Sequence, residues 1–188
     1  MSIRKKMIDS DGTYFITFTC KNWLPLFEII DGYDRVYQWF DYLKAKGHFI
    51  LGYVIMPNHV HSIIHFRNSK KPIELVVGDA KRLMAYAIIK WLRDNQKEDI
   101  LRQLACQSDK TKYQVFEPSF DRKSCESDYF FWQKLNYIHE NPCRRKIPLV
   151  ERPEDYKHSS AAFYLGIESS RYPVTHYMTL SDLLEQDC

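Results

Sequence analysis

Residues Phe49-Ile50-Leu51-Gly52-Tyr53-Val54-Ile55, Met56-Pro57-Asn58 and His59-Val60-His61-Ser62-Ile63-Ile64-His65-Phe66 read as strand, turn and strand. Both flanking runs are rich in β-branched and aromatic side chains, and the Pro-Asn pair between them supplies turn chemistry, so they predict a hairpin. Successive side chains of a strand point to opposite faces, which puts His59 and His61 on the same one. His65 lies further along that face, with Ile63 between. The first two imidazoles stand roughly 6.5–7 Å apart along the chain, close enough to converge on one divalent ion. An isolated His-x-His is equally at home on any polar sheet face, so the pair acquires meaning only with a second element.

Outward from the hairpin, Tyr14-Phe15-Ile16-Thr17-Phe18-Thr19 alternates in hydrophobicity and predicts another strand. Between Tyr33 and Lys46, Val36, Trp39, Phe40 and Leu43 recur at helical spacing, and Gly47 stops the helix. Lys71-Pro72 opens a longer helix that carries Leu83, Ala87, Ile88, Trp91 and Leu92 on one face and ends near Asn95. The polar, basic stretch from Gln96 to Lys112 predicts an exposed loop, and Tyr113–Phe116 a short strand. A last helix spans Ser127–Glu140, halted by Asn141-Pro142. The tail from Arg144 onward, with Pro148, Pro153 and Pro173, reads as irregular chain wrapped over the body. The order β-α-β-β-α-β-α predicts an α+β fold of split βαβ type, an antiparallel sheet with helices packed on one face. One domain over residues 1–188 is expected, with its core at 10–142 and a C-terminal extension at 143–188.

Composition narrows the classes. The chain has 188 residues, 45% hydrophobic and 15% aromatic, enough apolar surface for a core and far from a disordered composition. The net charge of +3 is compatible with a nucleic-acid partner without requiring one. No apolar run approaches the ~18 residues of a membrane span. Cys20, Cys106, Cys125, Cys143 and Cys188 are scattered, odd in number and form no Cys-x-x-Cys pair, which argues against a zinc ribbon and a disulfide framework. Met1-Ser2-Ile3-Arg4-Lys5-Lys6 has no apolar segment of the secretory kind, so a cytoplasmic location is the expectation.

The second element of interest is the last helix. At about 100° per residue, Phe130, Lys134, Tyr137 and Asn141 fall in one narrow sector, and Phe131, Leu135 and Ile138 in the next. The second sector is the natural core face, so Tyr137 sits at its edge, as either a structural tyrosine or a reactive one. A phenol with a pKa of about 10 is a poor nucleophile at neutral pH. A divalent cation on a scissile phosphate makes in-line attack feasible, and imidazole with an amide oxygen suits Mg²⁺ or Mn²⁺.

Taken together, these residues resemble a known family. Tyr53-Val54-Ile55-Met56-Pro57-Asn58-His59-Val60-His61 is similar to the His-hydrophobe-His (HUH) signature of the single-tyrosine, IS200-like transposases. Gln133-Lys134-Leu135-Asn136-Tyr137-Ile138-His139-Glu140-Asn141-Pro142 resembles the tyrosine helix of their REP-associated branch, and Pro153–Ala161 that branch's tail. Tyr14–Phe27 is similar to its opening strand, so the likeness runs over about residues 10–165. The resemblance implies a ferredoxin-like or RRM-like sheet (βαββαβ) and a DNA transposase that nicks single-stranded DNA near hairpins. It implies a 5′-phosphotyrosine intermediate, rejoining of strands, and a monomer or homodimer. Tyr137 is then the nucleophile, and His59, His61 and Asn141 the metal ligands.

The match departs from the family at Met84 and Ala85, where small hydroxyl residues are expected, and at Cys143-Arg144-Arg145-Lys146. Arg144, Arg145 and Lys146 are either a solvated helix end or phosphate contacts. Lys81 and Arg82 are candidate backbone contacts, and Lys134, three residues before Tyr137, is placed to steady a phenolate or a phosphate. His139 reads as structural, and His158-Ser159-Ser160 lacks the glycine elbow of a hydrolase. The alternatives are a non-cleaving, domesticated RRM-like nucleic-acid-binding module and a metal-dependent phosphoesterase without a covalent intermediate.

Overall fold

The computed structural model describes residues 11–106, 112–167 and 171–185; the Met1–Lys6 start and Cys188 lie outside the described residues. The elements are β1 (Gly12–Thr19), a one-turn α1 (Leu26–Ile29), α2 (Asp34–Ala45), β2 (Phe49–Met56), β3 (His59–Phe66), α3 (Ile73–Asp94), α4 (Glu98–Leu104), β4 (Asp121–Ser124), α5 (Asp128–Glu140), α6 (Ala161–Tyr164) and α7 (Leu180–Glu185). The four strands form one sheet in the order β2-β3-β1-β4, every neighbour antiparallel. This is the expected α+β class and broadly the ferredoxin-like plan.

One expectation is corrected: helices cover both faces of the sheet. Tyr14, Ile16 and Phe18 of β1 alternate with Val60, Ile64 and Phe66 of β3 toward α2 and α3, in a core with Val36, Phe40, Val77 and Ile88. The opposite face presents Phe15, Leu51, Val54, Met56 and Ile63, which α5 covers with Phe131, Leu135 and Ile138. The reason is visible in β2, whose residues from Ile50 to Met56 are all buried, so both faces need a partner. Gly52 allows the close approach of α5: a Cβ there would lie 2.4 Å from Leu135 Cδ1. The β2–β3 register also shifts between Ile50 and Gly52.

Three local expectations are revised. Tyr113–Phe116 is not a strand but makes two isolated bridges, Ala105–Tyr113 and Cys20–Phe116. The fourth strand is instead the exposed edge Asp121–Ser124, paired with β1. Within the predicted loop at 96–112, Glu98–Leu104 is helical and buries Leu101 and Leu104; residues 107–111 of that loop lie outside the described residues. On α3 the buried stripe runs through Val77, Ala80, Met84, Ile88 and Leu92, while Leu83 is exposed. Met84 is therefore a core residue.

The tail does wrap the body, by main-chain pairing along the free edge of β2. Ile55 N–H donates to His158 O (2.8 Å), Ser160 N–H to Tyr53 O (3.0 Å) and Thr175 N–H to Ile50 O (2.8 Å). These bonds occupy the β2 edge, which would otherwise offer unpaired amides to another chain. No helix among the described residues is long and apolar enough to cross a membrane.

Candidate active site on the α5 face

The turn after β2 is anchored from both sides. Cys20 N–H donates to Asn58 O (2.8 Å) and Phe27 N–H to Pro57 O (3.0 Å), fixing where β3 begins. The Asn58 side chain donates through Nδ2 to Trp23 O at 3.1 Å, so its Oδ1 is the end that faces His59 Nδ1, at 2.7 Å. That carbonyl oxygen can only accept, so His59 carries its proton on Nδ1 and leaves Nε2 as a lone pair. One register position inward, Thr17 lies opposite His61, and its hydroxyl bonds His61 Nδ1 at 2.6 Å. Each imidazole is thus held by its outer nitrogen, the arrangement that orients metal-binding histidines.

The inner nitrogens meet α5. Ser127 caps its N-terminus by accepting from Phe130 N–H, and Phe131, Leu135 and Ile138 bury its core stripe. That rotation brings the neighbouring sector over the histidines. Asn141 Nδ2 stands 3.3 Å from His61 Nε2, and the same carboxamide bonds His59. Ring centroids are 4.7 Å apart for His59–His61 and 5.1 Å for His61–Tyr137. Phe15 stacks on His61 at 5.5 Å and meets Tyr137 edge-on at 6.1 Å. Tyr137 is 40% exposed and opens on a cleft of about 490 Å³ that Lys134 and Arg144 also line. Lys134 Nζ lies 5.8 Å from the Tyr137 ring centroid and 5.2 Å from that of Phe15.

Burial is the main influence on the two imidazoles. It pushes His59 down to about 4, with Asn141 opposing the shift and Arg145 adding to it. His61 falls to about 3 through burial, then the neighbouring His59 and Lys134. Both rings are therefore neutral at physiological pH, the protonation state a metal ligand requires. Two imidazole nitrogens and an amide oxygen fit a Mg²⁺ or Mn²⁺ ion chemically, and no thiolate belongs to the set. Among the described residues there is no group of three or more His, Cys, Asp and Glu side chains that could hold a metal elsewhere.

His59, His61, Asn141, Tyr137 and Lys134 come together. Arg145 is near enough to influence His59, whereas Arg144 is ion-paired with Glu140, and Lys146 is simply exposed. Lys81 and Arg82 do not join the site, because α3 packs on the other face of the sheet. The Lys81 ammonium donates to the carbonyls of Glu117 (2.7 Å), Pro118 (3.2 Å) and Ser119 (3.2 Å), which makes it a loop anchor. Arg82 pairs with Asp79 at 3.1 Å. His65 bonds Thr13 Oγ1 at 2.9 Å, away from the pair. His139 bonds Ser160 Oγ at 2.9 Å and ties α5 to the tail, in line with a structural role. His158 bonds the Tyr37 hydroxyl at 3.0 Å, not the adjacent serines.

Sequence reasoning misses Thr17, Asn58 and Trp23. Thr17 was findable only through strand register and Asn58 only as the neighbour of His59. Trp23 is 62% exposed and its ring centroid is 5.6 Å from that of His59. It follows Asn22 in a turn where both residues have left-handed backbone (φ 54° and 57°), a conformation non-glycine residues seldom adopt.

Fold and site together define an α+β protein that presents two imidazoles, a carboxamide and a phenol on one covered sheet face. No family model and no curated protein matches the chain. Among solved structures, the REP-associated tyrosine transposase bound to a REP hairpin matches with a TM-score of 0.62 at 16% identity, over 88% of this chain and 86% of that one. This chain has that protein's fold. A candidate transposase from Deinococcus radiodurans aligns at 18% identity over 70% of this chain and 90% of that one, with a TM-score of 0.41, too loose a likeness to bear on the fold.

Proposed function

We propose that the chain is a REP-associated tyrosine transposase of the single-tyrosine HUH group. In this reading it nicks single-stranded DNA beside a hairpin through Tyr137 and can rejoin the ends. The observation that carries the reading is the convergence of His59, His61 and Asn141 beside the half-exposed Tyr137 phenol, from elements far apart in sequence. The fold shared with a transposase bound to a REP hairpin supports the choice of substrate.

His59 Nε2, His61 Nε2 and the Asn141 amide oxygen would hold the cation. A bound Mg²⁺ or Mn²⁺ supplies charge neutralisation at a phosphate oxygen. Thr17 and Asn58 keep the two rings in the required tautomer and orientation. The Tyr137 oxygen attacks phosphorus in line; the P–O bond to tyrosine forms as the P–O3′ bond breaks. The phenol gives up its proton and the departing 3′ oxygen takes one, leaving a free 3′ hydroxyl and a 5′-phosphotyrosine. Lys134, beside the phenol ring, stabilises negative charge on the phenolate or the phosphate. Because the linkage remains a phosphodiester, a 3′ hydroxyl can attack it in the reverse sense and join strands.

Incubation of the protein with labelled hairpin DNA carrying single-stranded flanks, in Mn²⁺, tests this. The expected product is a covalent protein–DNA adduct, absent in Tyr137→Phe and in EDTA. Cleavage without an adduct, or an adduct that survives Tyr137→Phe, contradicts it; binding with neither favours a non-cleaving module.

A further inference from the structure

We infer that Trp23 is a stacking platform for an unpaired nucleobase at the end of the imidazole row opposite Tyr137. The four rings follow one another as Trp23, His59, His61 and Tyr137, with centroid separations of 5.6, 4.7 and 5.1 Å. Phe15, which also belongs to this site, is buried, whereas Trp23 offers 62% of its surface to solvent. Of the four tryptophans Trp23 is the exposed one, Trp39 being buried and Trp91 and Trp132 half-buried, and it is the one that borders the imidazole pair.

The backbone holds it there. Asn22 N–H donates to Glu117 Oε1 (3.0 Å), Trp23 N–H to Cys20 O (3.0 Å), and Trp23 O accepts from Asn58 Nδ2 (3.1 Å). These bonds retain two consecutive left-handed residues, and such conformations persist where surrounding structure over-determines them, often at ligand sites. The carbonyl that fixes the indole also fixes the amide of Asn58 that orients His59. Ring position and imidazole position are therefore set by one turn. An indole face is a sequence-tolerant partner for any base lifted out of a stack.

The inference rests on the proposed reaction for its direction. In-line attack places the leaving oxygen opposite the nucleophile. A base at the Trp23 end is therefore the one on the strand that ends in the departing 3′ oxygen, immediately 5′ of the nick. Trp23 would hold that end after cleavage, ready for rejoining.

The binding arm uses the full-length protein in EDTA, with labelled oligo(dT) and a duplex of equal length. Trp23→Ala is expected to weaken oligo(dT) binding roughly ten-fold, and Trp23→Phe to restore most of it. Duplex binding and thermal melting should be unchanged, since only the exposed ring is altered. Equal oligo(dT) affinity for wild type and Trp23→Ala overturns the inference. So does equal weakening on single-stranded and duplex DNA. On a substrate whose nick has been mapped, an abasic residue immediately 5′ of the nick should make wild type and Trp23→Ala alike, and one immediately 3′ should not. The reverse pattern puts the base on the wrong side and overturns the assignment. If no adduct forms in any protein, the proposed reaction fails while the binding arm remains readable.

Discussion

The two faces of the sheet are built by the same alternation and put to different uses. Toward α2 and α3 the strands bury mostly hydrocarbon and aromatic side chains, with Phe18, Tyr53 and Phe66 almost wholly enclosed and Phe40 of α2 packed against Tyr53. Toward α5 the apolar set Phe15, Leu51, Val54 and Ile63 is interrupted by His59 and His61, each buried and each held by a polar neighbour. A buried polar group without a partner costs on the order of 1–3 kcal/mol, which explains why each imidazole is bonded on its outer nitrogen. The contrast teaches that one face is filled mostly by apolar packing while the other gives core positions to bonded imidazoles, which on the proposed reading hold a cation.

If that division holds, substitutions on the two faces should separate stability from activity. The largest stability effect should come from Phe40→Ala, about 3–5 kcal/mol less stable, read by denaturant unfolding. A loss below ~1 kcal/mol would break the comparison at its stable side. On the other face, Thr17→Val removes the partner of His61 Nδ1. Mn²⁺ affinity, read by calorimetry, should fall about 10- to 100-fold, while stability falls by no more than the roughly 1–3 kcal/mol that one unpaired buried nitrogen costs. A large melting shift with unchanged affinity would make Thr17 a folding residue.

A smaller effect concerns pH and sharpens the comparison at the tail. Burial pushes His158 down to about 4, with Lys157 and Arg171 adding to the shift. Because the folded value lies below the unfolded value of about 6.5, its contribution to stability is whole above that pH. It is lost progressively as pH falls toward 4. Wild type should therefore lose stability over this window more steeply than His158→Phe, measured by unfolding at stepped pH. Parallel slopes would mean that the ring is not what makes the tail acid-sensitive.

What the sequence made legible follows the same contrast. The hairpin, the shared face of His59 and His61 and the sector of Lys134, Tyr137 and Asn141 come from strong periodicity, and all are found as read. The helix on the second face is less legible, because β2 is an unbroken apolar run that hides which side faces what. Asp121–Ser124 carries four exposed residues and no hydrophobic alternation, so nothing but its pairing with β1 marks it as a strand. The aromatic Tyr113–Phe116 looked more strand-like and is not one. Lys81 looks like a free cation in sequence, yet three carbonyls claim it. The tail joins the β2 edge through main-chain bonds, which leave no pattern to read, and through the Tyr156, Ser160 and Tyr164 hydroxyls, which follow no periodicity.

The proposed chemistry depends on the imidazole pair and the helix-borne carboxamide binding a single cation next to the phenol. Pulsed electron–nuclear resonance on Mn²⁺ added to protein labelled with ¹⁵N-histidine reads the bound nitrogens directly. Two equivalent imidazole couplings are expected, falling to one in His59→Ala and in His61→Ala. Mn²⁺ that shows no histidine coupling, or one unaffected by either substitution, would contradict the account.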